Sequence, residues 1–327
     1  MKLEKRLWGT LPEGDVHLYT LEGGAGVRAA ISDLGGTVRS LFVPDRNGVP
    51  ADIVLGYDTP EEYLANGCFF GATIGRYANR IKGARIRIED HTYRLTANEG
   101  KNTLHGGSGF HTKLWRATET PDWLYLSYVS PDREDGFPGE TYVTVRFGFN
   151  DDGNFEIGYS ATANAPTFVS LTNHAYFNLA GKGTALGHRL RLGADFYTPA
   201  DGEGIPTGEI LPVEGTALDF REARPVESDY DNNFVLNKEG PAAELFEETS
   251  GRLLRLRTDL PGLQLYSGWH IPQGQRGKDG AVYGPHSGLC LEPQFFPDSP
   301  HRPEFPSALL SPDGWYERKI VWEFSVE

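Results

Sequence analysis

Thr141-Tyr142-Val143-Thr144-Val145-Arg146-Phe147-Gly148-Phe149 alternates side chains that suit a core with side chains that suit water. A period of two residues is the signature of a strand buried on one face. Residues 123–129 and 154–162 repeat the pattern on either side. Further out, residues 16–21 and 27–31 flank Gly23-Gly24, a hairpin signal, and residues 37–43 run into the turn chemistry of Pro44-Asp45-Arg46-Asn47-Gly48. Residues 86–95 read as another hairpin with its polar side chains outward. Strands are also expected at 253–258, at 262–267 and, closing the chain, at 316–324.

Helix is expected to be minor, confined to residues 60–65 and the acidic stretch 242–247. Forty glycines and 22 prolines interrupt every longer run of helical period. Strand signals recur from end to end, without an internal repeat, a low-complexity tract or a linker. The expected fold is therefore all-β: one large antiparallel β-sandwich in which residues 1–327 form a single domain, with residues 181–221 as a loop-rich rim.

A formal charge of −14 argues against a nucleic-acid backbone or an anionic membrane as partner, since both call for a basic face. A neutral small molecule is compatible with it. Cys68 and Cys290, far apart and in apolar settings, read as reduced thiols of the core. The stretch Met1-Lys2-Leu3-Glu4-Lys5-Arg6 lacks an apolar signal region and no run reaches membrane-spanning length, so a cytoplasmic address is the default expectation.

Two stretches offer chemistry. In Asn173-His174-Ala175-Tyr176-Phe177-Asn178-Leu179 an imidazole lies among amides and aromatics, at the end of a run in which Phe168, Ser170, Thr172 and His174 would share a strand face. In Leu291-Glu292-Pro293-Gln294 a carboxylate leaves an apolar strand. Gly288, Cys290 and Glu292 share one face there, and Leu289 and Leu291 the other. A base and an acid on opposite sides of a pocket are what a proton-shuttling enzyme needs. Taken singly, His174 reads more readily as a core or rim histidine satisfied by a neighbour, and Glu292 equally as a strand-end glutamate in solvent. His105, followed by Gly106-Gly107, suits a ligand site or a tight turn. Arg80 suits hydroxyl binding or a structural ion pair, and the Tyr230-Asp231-Asn232-Asn233 group suits hydroxyls or a turn.

Together and in order, the motifs are specific. Gly75-Arg76-Tyr77-Ala78-Asn79-Arg80-Ile81, Leu104-His105-Gly106-Gly107, Asn173 to Leu179, Tyr230-Asp231-Asn232-Asn233-Phe234, Leu291 to Gln294 and Phe296-Pro297-Asp298-Ser299-Pro300 resemble the aldose 1-epimerases, or galactose mutarotases, over nearly the whole chain. The resemblance implies a galactose-mutarotase-like β-supersandwich. It also implies interconversion of the α and β anomers of a free aldose, with no cofactor and no metal, by a monomer or homodimer. Carried over by residue, Glu292 matches the general base and His174 the general acid, while Asn79, Arg80, His105, Tyr176, Asp231 and Gln264 match sugar-contacting positions. The chain departs from the family pattern at Asn232, at Trp269-His270 after Gly268, and at Phe295, positions that bear on sugar preference. Trp269 is either a stacking platform for a sugar face or a packed rim aromatic.

Other classes remain open to the sequence. A sugar-binding module without activity would use the same polar residues, and a pentose, acidic or phosphorylated sugar could replace a neutral hexose. A glycosidase would pair Asp231 with Glu292. A metal hydrolase would draw on His105, His174, Asp231 and Glu292, without a close ligand pair such as His-Glu-x-x-His.

Overall fold

The nine-residue stretch Thr141–Phe149 pairs along its length with Trp123–Ser130 on one side and Phe155–Ala163 on the other. This meander is one half of a nine-stranded antiparallel sheet in a computed structural model that describes residues 2–65 and 67–327. Met1, which opens the amino-terminal stretch considered above, lies outside the described residues. The chain's last strand, Tyr316–Val326, lies between Phe155–Ala163 and Arg252–Thr258 and joins the two halves of the sheet. A six-stranded sheet runs in the order Tyr176–Phe177, Leu289–Gln294, Gly262–Tyr266, Asp231–Val235, Phe196–Thr198, Leu211–Pro212. The amino-terminal strands, from Lys2–Leu11 to Pro50–Asp52, form a five-stranded sheet that includes the expected hairpin across Gly23-Gly24.

One apolar cluster runs through all three sheets. It takes in Leu21 and Val38 from the five-stranded sheet, Phe147 and Trp322 from the nine-stranded sheet, and Leu263 and Leu291 from the six-stranded sheet. Phe177 connects this core to the pocket. Its ring packs edge-on against Trp322 at 5.1 Å, and Trp322 stacks on Phe155 at 5.5 Å. Tyr176, its strand neighbour, points the other way, as strand geometry requires, into a second cluster with Leu55, Phe70 and Cys290. Phe177→Ala is expected to lower unfolding stability by about 3–5 kcal/mol, the usual cost of truncating a buried Phe. Urea denaturation of the variant checks this, and a loss below about 1 kcal/mol would remove Phe177 from the core's main supports.

Several sequence expectations change. Residues 242–247 are not helical: Ala243–Phe246 is a strand between Arg189–Leu192 and Arg252–Thr258. Ala243 and Leu245 are buried, while Glu244 bonds outward to Arg255 at 2.7 Å and pairs with Arg191 at 3.3 Å on the flanking strands. The period is two, and the acidic character serves cross-strand pairing. The helix at 60–65 is present as Pro60–Leu64, started by a capping box between Thr59 and Glu62. The loop-rich rim contributes Arg189–Leu192 to one sheet and Phe196–Thr198 and Leu211–Pro212 to another. No helix among the described residues is long and apolar enough to cross a membrane.

Candidate active site

His174 directly follows the two-residue strand Thr172–Asn173, which pairs with Thr73–Ile74, whereas Thr167–Phe168 pairs separately with Leu309–Leu310. The run is thus two short strands with different partners, and its expected single polar face does not exist. Phe168, Ser170, Thr172 and His174 are all buried. Ser170 is satisfied there by accepting from the Phe295 N–H at 3.2 Å. Glu292 does not leave its strand. It lies within Leu289–Gln294, opposite Gln264. The expected alternation holds: Leu289 and Leu291 enter the main core, while Cys290 and Glu292 turn toward His174.

His174 Nε2 and Glu292 Oε2 are 3.6 Å apart in a cavity of about 160 Å³. Asn79, Arg80, His105, Tyr176, Asp231 and Gln264 also line it, so eight of the nine residues singled out by sequence converge there. Trp269 does not. It lines an adjoining outer cleft with Arg80, Asp231, Asn232 and His270, and its ring packs against His270. Phe295, one of the departures from the family pattern, is buried in the core, with the Arg318 guanidinium 5.5 Å from its ring centre.

The wall around the pair is held by named contacts. Arg80 forms a fork-to-fork pair with Glu99 at 2.7 and 2.9 Å and places Nη1 3.7 Å from Asp231 Oδ2. Gln264 donates to Asp231 Oδ1 at 2.6 Å, fixing that carboxylate from the next strand. The bend at Phe296-Pro297-Asp298 has a structural task. The Asp298 N–H donates to the Arg80 carbonyl, and Asp298 Oδ1 accepts from the Lys82 N–H, pinning the loop that carries Asn79 and Arg80. Arg76, from the same motif, is buried and donates to the carbonyls of Pro138 and Gly139 at 2.9 and 2.8 Å. It supports the loop and takes no part in the pocket.

His105 has a left-handed backbone, φ 52°, and Gly106 follows at φ 78°. A Cβ on Gly106 would sit 2.3 Å from the Gly75 carbonyl oxygen, so only glycine lets the His105 loop lie against the Gly75–Arg76 backbone. The Asn79 N–H donates to His105 Nδ1 at 3.2 Å. That nitrogen must therefore be a lone pair, and the neutral ring presents Nε2–H to the cavity. Burial, reinforced by His174 and Arg80, pushes the His105 pKa well below the usual imidazole range and keeps the ring neutral. Nitrogen and oxygen atoms of His105, His174 and Glu292 lie within 4.8 Å of one another, a spacing a metal ion could meet. The proton on His105 Nε2 makes that ring a hydrogen-bond donor rather than a ligand.

Glu292 Oε2 is buried and accepts no hydrogen bond from the described residues. Burial, with the Asp231 charge adding to it, pushes the Glu292 carboxyl well above the usual carboxylate range, and Arg80 opposes them. Burial lowers the His174 imidazole to about 3. As general base and general acid, the two would face each other as carboxylate and imidazolium. Burial instead favours the uncharged distribution of the same single proton, on the carboxyl.

His111 and His188 are likewise lowered by burial, each to about 4. Their folded pKa values, like that of His174, lie below the unfolded value near ~6.5. The unfolded chain therefore binds protons first. Stability from these histidines is complete above about pH 6.5 and is lost as pH falls toward about 4. Glu292, shifted upward, works in the opposite sense. Because the histidines outnumber it, the unfolding temperature is expected to fall steadily from pH 7 to pH 4; a flat profile over that range would contradict their burial as neutral rings.

Sequence reasoning missed Glu99, Phe69, Tyr266 and Cys68, all of which line the cavity. Glu99 sits in a loop without periodicity, so its partnership with Arg80 left no signal in the sequence. Cys68 is half-buried in the pocket wall and Cys290 fully buried, and the two form no disulfide.

The buried carboxyl and imidazole that face each other in this pocket suit acid–base chemistry on a small molecule. The family model described as aldose 1-epimerase matches residues 17–322. The chain is 41% identical to galactose mutarotase of Mus musculus, covering 100% of this chain and 99% of that one. It is 36% identical to aldose 1-epimerase of Escherichia coli, covering 97% of each. Among solved structures, an aldose epimerase homologue from C. elegans superposes with a TM-score of 0.90 at 33% identity, over 94% of this chain and 98% of that chain. Galactose 1-epimerase from Lactobacillus acidophilus superposes with a TM-score of 0.87 at 27% identity, over 100% and 99%. The chain belongs to the aldose 1-epimerase family, and it is an enzyme that interconverts the anomers of an aldose.

Proposed function

We propose that Glu292 and His174 carry out this anomer interconversion as a pair that shares one proton. With a ring-closed sugar bound, Glu292 takes the proton from O1 while His174 Nε2 gives one to the ring oxygen, and the C1–ring oxygen bond breaks. Rotation about C1–C2 presents the other carbonyl face, and the two groups reverse roles as the ring closes. The observation that carries this reading is the 3.6 Å approach of two buried groups in one cavity, with Glu292 Oε2 accepting no hydrogen bond from the described residues. In the open-chain state the proton has moved onto Glu292 and His174 is neutral. That is the distribution burial favours, so the site lowers the open-chain state relative to the ring-closed one.

Arg80, Asp231, Gln264 and the Nε2–H of His105 are the donors and acceptors that hold hydroxyls, with Asn79 setting the His105 tautomer. Tyr176 bounds one face of the His174 ring. Trp269 belongs to the outer cleft and is the residue to vary for sugars that extend beyond the inner pocket. We also propose that residues 1–327 work as a single domain, supported by the apolar cluster common to all three sheets, and that the protein acts in the cytoplasm as a monomer or homodimer.

The name of the murine relative makes galactose the first sugar to test, with glucose, xylose and arabinose beside it. Polarimetry on freshly dissolved α anomers, after subtraction of the spontaneous rate, is expected to show saturable acceleration for at least one of them. Saturable binding without acceleration of any would make the pocket a sugar-binding site only.

A further inference from the structure

The His174 imidazole is held on both faces and both edges. Tyr176 stacks on one face at 5.0 Å with rings 21° apart, and Phe69 lies over the other at 5.7 Å and 29°. The Nε2 edge meets Glu292, and the Nδ1 edge meets the Cys290 sulfur at 3.4 Å. Cys290 is fully buried, two residues before Glu292 on the same strand face. Both groups bracketing the imidazole therefore come from one rigid strand, hydrogen-bonded on each side. This fixes their spacing along the ring more tightly than a loop could.

A neutral imidazole carries its proton on whichever nitrogen its neighbours favour. If His174 is to pass its Nε2 proton to a sugar ring oxygen, the N–H that remains must be on Nδ1. That edge then needs an acceptor. The Cys290 sulfur, 3.4 Å from Nδ1, is the side chain in reach. A thiol sulfur is a weak acceptor. It orients the ring without stabilising the imidazolium as a carboxylate partner would, and so leaves the Nε2 proton easy to give up.

We propose that Cys290 is a positioning residue for the reaction, holding His174 with its proton on Nδ1 so that Nε2 alone gives and receives the mobile proton. The Nε2–H bond breaks as the ring-oxygen O–H bond forms, the Nδ1–H bond persists throughout, and the sulfur neither gains nor loses a proton. This rests on the assignment of His174 as the acid above.

Nitrogen-15 NMR of the sugar-free enzyme at neutral pH tests it, with His174→Asn identifying the His174 signals. The wild type is expected to show a neutral ring protonated on Nδ1. Cys290→Ala is expected to move part of the population to the Nε2–H form and lower kcat by about threefold to tenfold at unchanged KM, the reach of one modest hydrogen bond. Cys290→Ser, which keeps an acceptor, is expected to retain the Nδ1–H form and stay within about twofold of wild-type kcat. An Nε2–H ring in the wild type overturns the proposal without recourse to any variant. So does a Cys290→Ala enzyme with unchanged tautomer and kcat. A merely structural cysteine would alter the melting temperature and leave the tautomer alone. Wild-type kcat in His174→Asn would instead sink the parent assignment, a result the tautomer spectra do not share.

Discussion

Glu292→Gln is expected to lower kcat for anomer interconversion by roughly 10²–10⁴-fold, the range for loss of one positioned proton transfer, with KM little changed. Glutamine keeps the shape and hydrogen-bonding reach of the side chain but cannot take the O1 proton. The same substitution is expected to leave the fold as stable as before or more so. The folded pKa of Glu292 is raised, so its contribution to stability is present below the unfolded pKa near ~4.3 and is lost as pH rises through the folded value. Glutamine does not titrate and escapes that loss, so any gain in melting temperature grows toward alkaline pH. Lower activity joined to undiminished stability marks a group retained for chemistry. A variant that is both inactive and markedly less stable would place Glu292 among the structural residues.

His174→Asn is expected to cost a comparable factor in kcat, roughly 10²–10⁴-fold, because the ring oxygen then lacks its proton donor. The site offers no ready substitute. His105 stands with ring centres 5.2 Å away, but its Nδ1 accepts from the Asn79 backbone N–H, so giving up the Nε2 proton would leave an imidazolate. It donates a hydrogen bond and does not deliver a proton. Polarimetry at saturating galactose measures the loss, and titration calorimetry measures binding, expected to survive because Arg80, Asp231 and Gln264 are untouched. A variant within about threefold of wild-type kcat would show that the ring oxygen is protonated by another group.

The parts of this molecule that rest on local pattern could be read from sequence, and those that rest on tertiary pairing could not. Thr141–Phe149 alternates because one face lies on the core, and so it announced its strand. The capping box at Thr59 and Glu62 is equally local. Ala243–Phe246 misled because Glu244 resembles helix surface until Arg191 and Arg255 are seen on the neighbouring strands. The proposed acid–base pair was legible as residue types in motifs. Its protonation was not, because complete burial pushes the carboxyl toward its neutral form and keeps the imidazole uncharged. Trp269, an aromatic beside a glycine, carries no mark in the sequence that separates an inner wall from an outer cleft.

The joint use of one proton is tested most directly by a double-mutant cycle. Anomer-exchange rates at saturating galactose would be compared for wild type, Glu292→Gln, His174→Asn and the double variant, each corrected for the spontaneous reaction. If ring opening needs a carboxylate and an imidazole in the same event, the double variant turns over no more slowly than the worse single variant. Losses that multiply, or single variants that keep wild-type rates while binding sugar, would mean the two side chains do not share that event.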